Sequence, residues 1–349
     1  MPKILLVSGP DPLKWKGGLE TYLLNLYSIL IEEGYLVDIE NFDNHKLDLS
    51  DLESYYMFSR IVQEKVNYYD LVIVNSIYSP FLKPSKNIIV ISHGIYRSMA
   101  INSKEVIKKS EFLDFYYKQG MLEEFSYRNK NVVAVSSELI VDMRKYYNPQ
   151  KIFLIRNAIN TNLFKPKPEK CQKEGLLTGL YVGRADTTKG YDIFTEVYNR
   201  TNGYIQWIQC ISTGGLGDCE LIEEIETLRN VPNHAMPDVY NNSDFVLFPS
   251  RYEGFGLVTL EALACKKPVI AFNTGIFKTL SRFMSFLSIG SPIQDKSIQV
   301  GRILHILNNI IGNRELREYI GKYGRSFVVK YFNMNIWKER WLRLLNTMI

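Results

Sequence analysis

Short apolar runs, rich in Ile and Val and without polar alternation, constrain this chain's fold more than any other feature. Ile4–Val7, Leu71–Val74, Ile88–Ile91 and Val132–Val135 are four of them. A strand with one wet face alternates apolar and polar residues, so unbroken runs belong to strands covered on both faces, as in a parallel sheet. Between the first two runs, Leu19, Tyr22, Leu23, Leu26, Tyr27 and Leu30 repeat at helical spacing, and Gly34 stands where the helix should stop. This alternation predicts a doubly wound α/β layer. After a polar, Pro-rich stretch from Lys165 to Gly175, which reads as a hinge, the pattern restarts. Leu180–Val182, Ile205–Ile211, Phe245–Phe248 and Val269–Ala271 are its strands. From Ser297 onward the chain reads as helices broken at Gly312, at Gly321-Lys322-Tyr323-Gly324 and at Asn333.

Two α/β domains of similar size follow, over 1–165 and 166–330. With 349 residues, 46% of them hydrophobic, the chain can bury a core in each. That excludes a disordered, collagen-like or coiled-coil protein. Cys171, Cys210, Cys219 and Cys265 form no CxxC pair and meet no His cluster, so neither a disulfide framework nor a metal site is expected. Reduced thiols point to a cytoplasmic setting. No apolar stretch approaches the roughly 20 residues that span a bilayer. Lys3 leads straight into Ile4–Val7 and the turn Gly9-Pro10-Asp11-Pro12, which predicts no signal peptide. A net charge of +5 is too mild to suggest nucleic acid as partner.

Glycine turns follow several of these strands. Gly17-Gly18 opens the first helix, with Glu20 in its first turn; Gly94 follows Ser92-His93; Gly183-Arg184 follows Leu180–Val182, with Lys189-Gly190 just before another amphipathic helix. Such a turn brings backbone N–H groups and the helix dipole close to an anion, and each alone is ordinary in α/β folds. Arg184 with Lys189 is sharper, because two cations at a strand's C-terminal end suit a diphosphate. In Pro249–Ala264, Glu253 lies in a loop, Gly254 and Gly256 flank Phe255, and a helix begins near Leu257 with Glu261 inside it. A phosphate can sit on the helix amides while the two carboxylates accept hydrogen bonds from sugar hydroxyls.

Here the residues reach a known family. Two Glu separated by seven residues, Glu253 and Glu261 around Gly254-Phe255-Gly256-Leu257-Val258-Thr259-Leu260, closely resemble the signature of retaining glycosyltransferases of the GT-B fold, glycosyltransferase family 4 or glycosyl transferases group 1. Further matches stand in family order: Gly17–Glu20, Ser92–Gly94, Ala134–Ser137, Asn157–Asn160 with Phe164–Pro166, Val182–Arg184 with Lys189-Gly190, Tyr240–Asp244 and Lys267–Ala271. The resemblance implies two Rossmann-like domains facing each other across a cleft, the first on the acceptor side and the second binding the donor. It also implies a last helix over 331–349 that returns to the first domain, and Trp337, Trp341, Leu342 and Leu345 give it an apolar face.

The same resemblance implies a hexosyltransferase that moves sugar from a nucleotide diphosphate sugar, UDP- or GDP-linked, to an acceptor hydroxyl. Arg184 and Lys189 are similar to the pair that neutralises the donor diphosphate, and Gly17-Gly18 and Gly183 to loops that approach it. Glu261 is similar to the Glu on the ribose hydroxyls, Glu253 to the Glu beside the transferred sugar, and His93 to the active-site His. Phe255, Gly256 and Leu257 would offer backbone contacts. No carboxylate pair of the DxD kind stands in a suitable loop and two cations can do a metal's job, so no metal or other cofactor is expected.

Two departures touch the donor. Asn273-Thr274-Gly275-Ile276-Phe277-Lys278 stands where the family has Gly-Gly and then Glu, and the stretch from Gly215 to Met236 is short. Competing readings are a GT-B epimerase or phosphorylase, a non-catalytic sugar-binding remnant, and an NAD-dependent oxidoreductase, against which the lack of GxGxxG after the first strand counts. The expected acceptor is a glycan, a glycolipid or other lipid-linked acceptor, or a protein-linked glycan. Lys104, Lys108, Lys109 and Lys118 interleave with Phe112, Leu113, Phe115, Tyr116 and Tyr117, which suits peripheral contact with an anionic membrane as well as it suits an ordinary half-buried helix pair.

Overall fold

A computed structural model describes residues 1–14, 17–168, 176–212 and 219–349. The chain divides into two units. The first comprises Met1–Ser98, Leu113–Arg156 and Trp337–Ile349, the second Met99–Phe112 and Asn157–Ile336.

In chain order the first stretch runs β1 (Lys3–Val7), α1 (Gly18–Glu32), β2 (Leu36–Glu40), α2 (Leu52–Lys65), β3 (Leu71–Asn75), β4 (Ile88–Ser92), α3 (Tyr96–Ser103), α4 (Lys109–Leu113), a π turn (Asp114–Gln119), α5 (Gly120–Tyr127), β5 (Asn131–Ala134), α6 (Ser137–Tyr146) and β6 (Lys151–Leu154). Its strands form one parallel sheet in the order β2-β1-β3-β4-β5-β6. Every residue of β3, β4 and β5 is buried, the condition that unbroken apolar runs foretell.

The second stretch runs β7 (Leu177–Gly183), α7 (Tyr191–Thr201), β8 (Ile205–Ile211), β9 (Glu226–Arg229), α8 (Met236–Asn241), β10 (Phe245–Phe248), α9 (Leu257–Ala264), β11 (Val269–Phe272), α10 (Gly275–Leu280), β12 (Ser288–Gly290), α11 (Lys296–Ile306) and α12 (Arg314–Tyr331). Its parallel sheet has the order β12-β11-β10-β7-β8-β9. In each sheet the winding reverses once, between β1 and β3 and between β7 and β10. Open α/β sheets bind ligands beyond the C-terminal ends of the strands at such a reversal.

The last helix, α13 (Met334–Met348), belongs to the first unit from Trp337 onward. Trp337, Trp341, Leu344 and Leu345 are its buried stripe. Leu344 takes the place expected for Leu342, because positions i, i+4, i+7 and i+8 share one helix face. Lys338 pairs with Glu32 and Glu33 at the end of α1.

Several expectations are corrected. The division falls at Arg156/Asn157 rather than at 165/166, because Ile159 N–H donates to the Phe332 carbonyl and Arg325 of α12 donates to the Phe164 carbonyl. Residues 99–112, expected with the first domain, group with the second, where Thr187 Oγ1 donates to the Val106 carbonyl. Of the expected hinge, 169–175 lie outside the described residues. The helix break at Gly321–Gly324 is absent, and α12 runs unbroken from Arg314 to Tyr331. These glycines serve packing instead: a Cβ at Gly321 would come within 2.2 Å of the Lys266 carbonyl oxygen, and one at Gly324 within 2.6 Å of Leu263.

Candidate functional site

Arg184 and Lys189 sit where β7 ends, beside the reversal of the second sheet. Asp186 organises the turn between them. Its Oδ2 accepts from Arg184 Nε at 2.6 Å, while Oδ1 accepts from Lys189 N–H at 2.8 Å and from the Thr188 hydroxyl at 2.5 Å. The carboxylate thus caps the turn and aims the guanidinium at once. Gly190 follows with φ +71°, and a Cβ there would lie 2.0 Å from the Pro249 carbonyl oxygen, so only glycine lets this turn touch the β10 loop.

The β10 loop closes on that turn from the other side. Lys189 Nζ donates to Glu253 Oε1 at 2.6 Å, with both side chains mostly buried. Arg251, only 3% exposed, makes a two-pronged pair with Asp192 at 2.6 and 2.9 Å and donates to the Thr187 carbonyl. This fork pins the loop to the start of α7. Two cations, Arg184 and Lys189, are therefore balanced by Asp186 and Glu253.

Gly256, at φ +89°, turns the chain into α9, and a Cβ there would lie 3.7 Å from the Glu253 side chain. Phe255 is buried against Phe332, and its carbonyl accepts from Ile276 N–H at 2.6 Å. Thr274 of the divergent Asn273–Lys278 segment donates its hydroxyl to the Ser250 carbonyl. Glu261 is buried inside α9 and accepts from the Tyr240 hydroxyl at 2.7 Å. Burial pushes the Glu261 carboxyl up to about 7, and the Tyr240 bond opposes that rise.

His93, Gly17 and Gly18 belong to the first unit. His93 follows β4, and its Nε2 lies 2.7 Å from Asn75 Oδ1 at the end of β3. The Tyr22 ring packs edge-on against it at 4.8 Å. Burial pushes the imidazole down to about 3, so His93 is neutral at any ordinary pH. The buried Glu20 carboxylate curls over Gly17, where a Cβ would meet Oε2 at 2.3 Å, while nothing crowds Gly18.

Asp186, Arg251, Tyr240 and Asn75 escaped the sequence reading as site residues. Asn75 carried a signal, as a polar residue closing the apolar run Leu71–Val74. Asp186 carried another, as an acid between the two cations. Of the short Gly215–Met236 stretch, 215–218 lie outside the described residues. Among the described residues, no group of three or more His, Cys, Asp or Glu is placed to hold a metal ion.

Residues 165–327 match the glycosyl transferases group 1 family. The chain is 23% identical over 231 residues to the alpha-maltose-1-phosphate synthase of Mycolicibacterium smegmatis, covering 58% of this chain and 59% of that protein. It spans between 41% and 59% of the length of three curated relatives it matches. Among solved structures, sucrose-phosphate synthase from Thermosynechococcus elongatus superposes with a TM-score of 0.79 at 19% identity, covering 100% of this chain and 99% of that one. The Anabaena protein HepE, solved in complex with UDP-glucose, superposes with a TM-score of 0.67 at 16% identity, covering 99% and 100%. The two six-stranded parallel sheets are those of the GT-B fold, and residues 165–327, within the second unit, are what resembles the glycosyl transferases group 1 family.

Proposed function

We propose that this chain is a retaining glycosyltransferase that moves a sugar from a nucleotide diphosphate sugar to an acceptor hydroxyl. The observation that carries the reading is the Lys189–Glu253 pair beside the β7/β10 reversal, with Arg184 on the same turn and Glu261 in the helix that follows. Breaking the bond between sugar and diphosphate leaves negative charge on the phosphate and positive charge on the sugar carbon. Arg184 and Lys189 meet the first as fixed electrostatic stabilisation. As Lys189 turns to the diphosphate, Glu253 is released to accept hydrogen bonds from the sugar hydroxyls. Glu261, once ionised, accepts from the ribose hydroxyls. The acceptor attacks on the face the diphosphate leaves, the configuration is retained, and a departing phosphate oxygen takes the acceptor's proton.

These two cations supply the charge a metal would, so turnover is proposed to need no metal ion or other cofactor. The likeness to HepE favours UDP over GDP as the carrier. Glycans and lipid-linked sugars are the proposed acceptors. No helix among the described residues is long and apolar enough to cross a membrane, and exposed Leu113 and Tyr117 beside Lys118 suit peripheral contact with an anionic one.

The test is a panel of UDP- and GDP-sugars incubated with the chain without acceptor, read as free nucleotide diphosphate. Slow release from one UDP-sugar is expected. No release from any donor overturns the reading, and an isomerised donor without release reassigns the chain to an epimerase.

A further inference from the structure

We propose that Asn75 is the positioning residue of His93: its side-chain amide holds the imidazole in the tautomer protonated on Nε2, so that Nδ1 is the ring atom offered to a substrate hydroxyl. The proposal rests on the function above only for what that substrate is.

The two ends of an amide are told apart by their partners. Asn75 is fully buried at the end of β3, and its Nδ2 lies 3.2 Å from the Leu19 carbonyl oxygen in α1. A carbonyl only accepts, so the NH2 end faces Leu19 and Oδ1 faces His93. Oδ1 also only accepts, and at 2.7 Å from Nε2 it requires the proton there. A neutral imidazole carries one N–H, which leaves the lone pair on Nδ1. Three parallel-sheet neighbours fix the arrangement: α1 follows β1, and Asn75 pairs in register with Ile91, two residues before His93.

The ring plane is held separately. Tyr22 packs edge-on against the imidazole at 88°, and the Tyr22 hydroxyl accepts from Trp341 Nε1 at 3.1 Å, in α13. The C-terminal helix thus steadies the histidine from behind while Asn75 sets its proton. The consequence is chemical selection. A lone pair on Nδ1 attracts a hydroxyl proton and repels a phosphate oxygen, so His93 recognises sugar or acceptor hydroxyl and not the diphosphate.

Long-range proton–nitrogen NMR of the full chain with 15N-labelled histidine reads the tautomer directly. Only four histidines contribute, and His93→Gln identifies the signal of interest. The wild type should show Nε2 protonated and Nδ1 bare. Asn75→Leu should lose that signature and lower UDP-sugar hydrolysis about tenfold with UDP affinity unchanged, while Asn75→Asp, which keeps an acceptor oxygen, should retain the signature. A wild-type spectrum with the proton on Nδ1 overturns the proposal whether or not any variant folds, and so does an unchanged spectrum in Asn75→Leu. The expected tautomer in a protein that releases nucleotide from no donor would fail the proposed function and support the role of Asn75.

Discussion

Tyr240 donates its hydroxyl proton to Glu261 at 2.7 Å, joining the helix before β10 to the helix after it. Burial holds the Glu261 carboxyl near 7, so its charge changes within the neutral pH range, where the proposed ribose contact can be tested. Ribose hydroxyls donate, and they favour the ionised form. UDP affinity should therefore rise between about pH 6 and pH 8 by calorimetric titration. Tyr240→Phe removes the bond that lowers the pKa and should move the midpoint upward; Glu261→Gln should flatten the profile. A flat wild-type profile would remove Glu261 from nucleotide binding.

The same group couples to stability with the opposite sense. Its folded pKa lies above the usual 4.5, so the folded protein keeps a proton that the unfolded chain gives up. The stabilising contribution is complete below about pH 4.5 and lost as pH rises through about 7. The loss is on the order of 3 kcal/mol. Glu261→Gln cannot ionise, so its melting temperature relative to wild type should be higher at pH 8 than at pH 5. Thermal melts at the two pH values check this.

Lys189 and Glu253 neutralise each other, and the two ends of the pair should separate by assay. Lys189→Ala leaves a mostly buried carboxylate unpaired beside the proposed diphosphate position and should weaken UDP binding by roughly 2–5 kcal/mol. Glu253→Gln should leave UDP affinity unchanged or tighter, because Lys189 is released, while donor hydrolysis falls. Equal loss of UDP binding in both variants would refute this division.

Saturating EDTA should leave donor hydrolysis unchanged if Arg184 and Lys189 carry the diphosphate charge. Loss of turnover that Mg²⁺ or Mn²⁺ restores would sink that assignment.

Gly321→Ala tests the packing of α12. Alanine is favoured over glycine inside an exposed helix by up to about 1 kcal/mol. Here its Cβ would strike the Lys266 carbonyl, so the sign reverses and a loss of about 1–3 kcal/mol is expected in urea unfolding. Gly324→Ala should cost less, since Leu263 is a side chain that can give way.

The inner strands of both sheets, and the order of the glycine-turn and glutamate motifs, can be read from the residues alone. β1, β3, β4, β5, β7, β10 and β11 were legible because burial on both faces demands unbroken apolar runs, and β8 because its apolar residues still dominate around Gln206 and Gln209. The four strands that escaped, β2, β6, β9 and β12, are the four sheet edges. With one side open, Leu36–Glu40 and Glu226–Arg229 carry polar residues and lose that signature. Gly321 and Gly324 read as breakers because the sequence shows what a glycine permits locally, not the neighbour that needs its missing side chain. Arg184, Lys189, Glu253, Glu261 and His93 were likewise legible as residue types at motif positions. What holds each of them was decided only by tertiary structure. Glu253 reaches Lys189 across 64 residues, Tyr240 reaches Glu261 across 21, and Asn75 reaches His93 across 18. The first and third pairs meet because adjacent parallel strands end side by side, the second because the helices flanking β10 pack together, and neither kind of contact leaves a spacing in the chain to find it by.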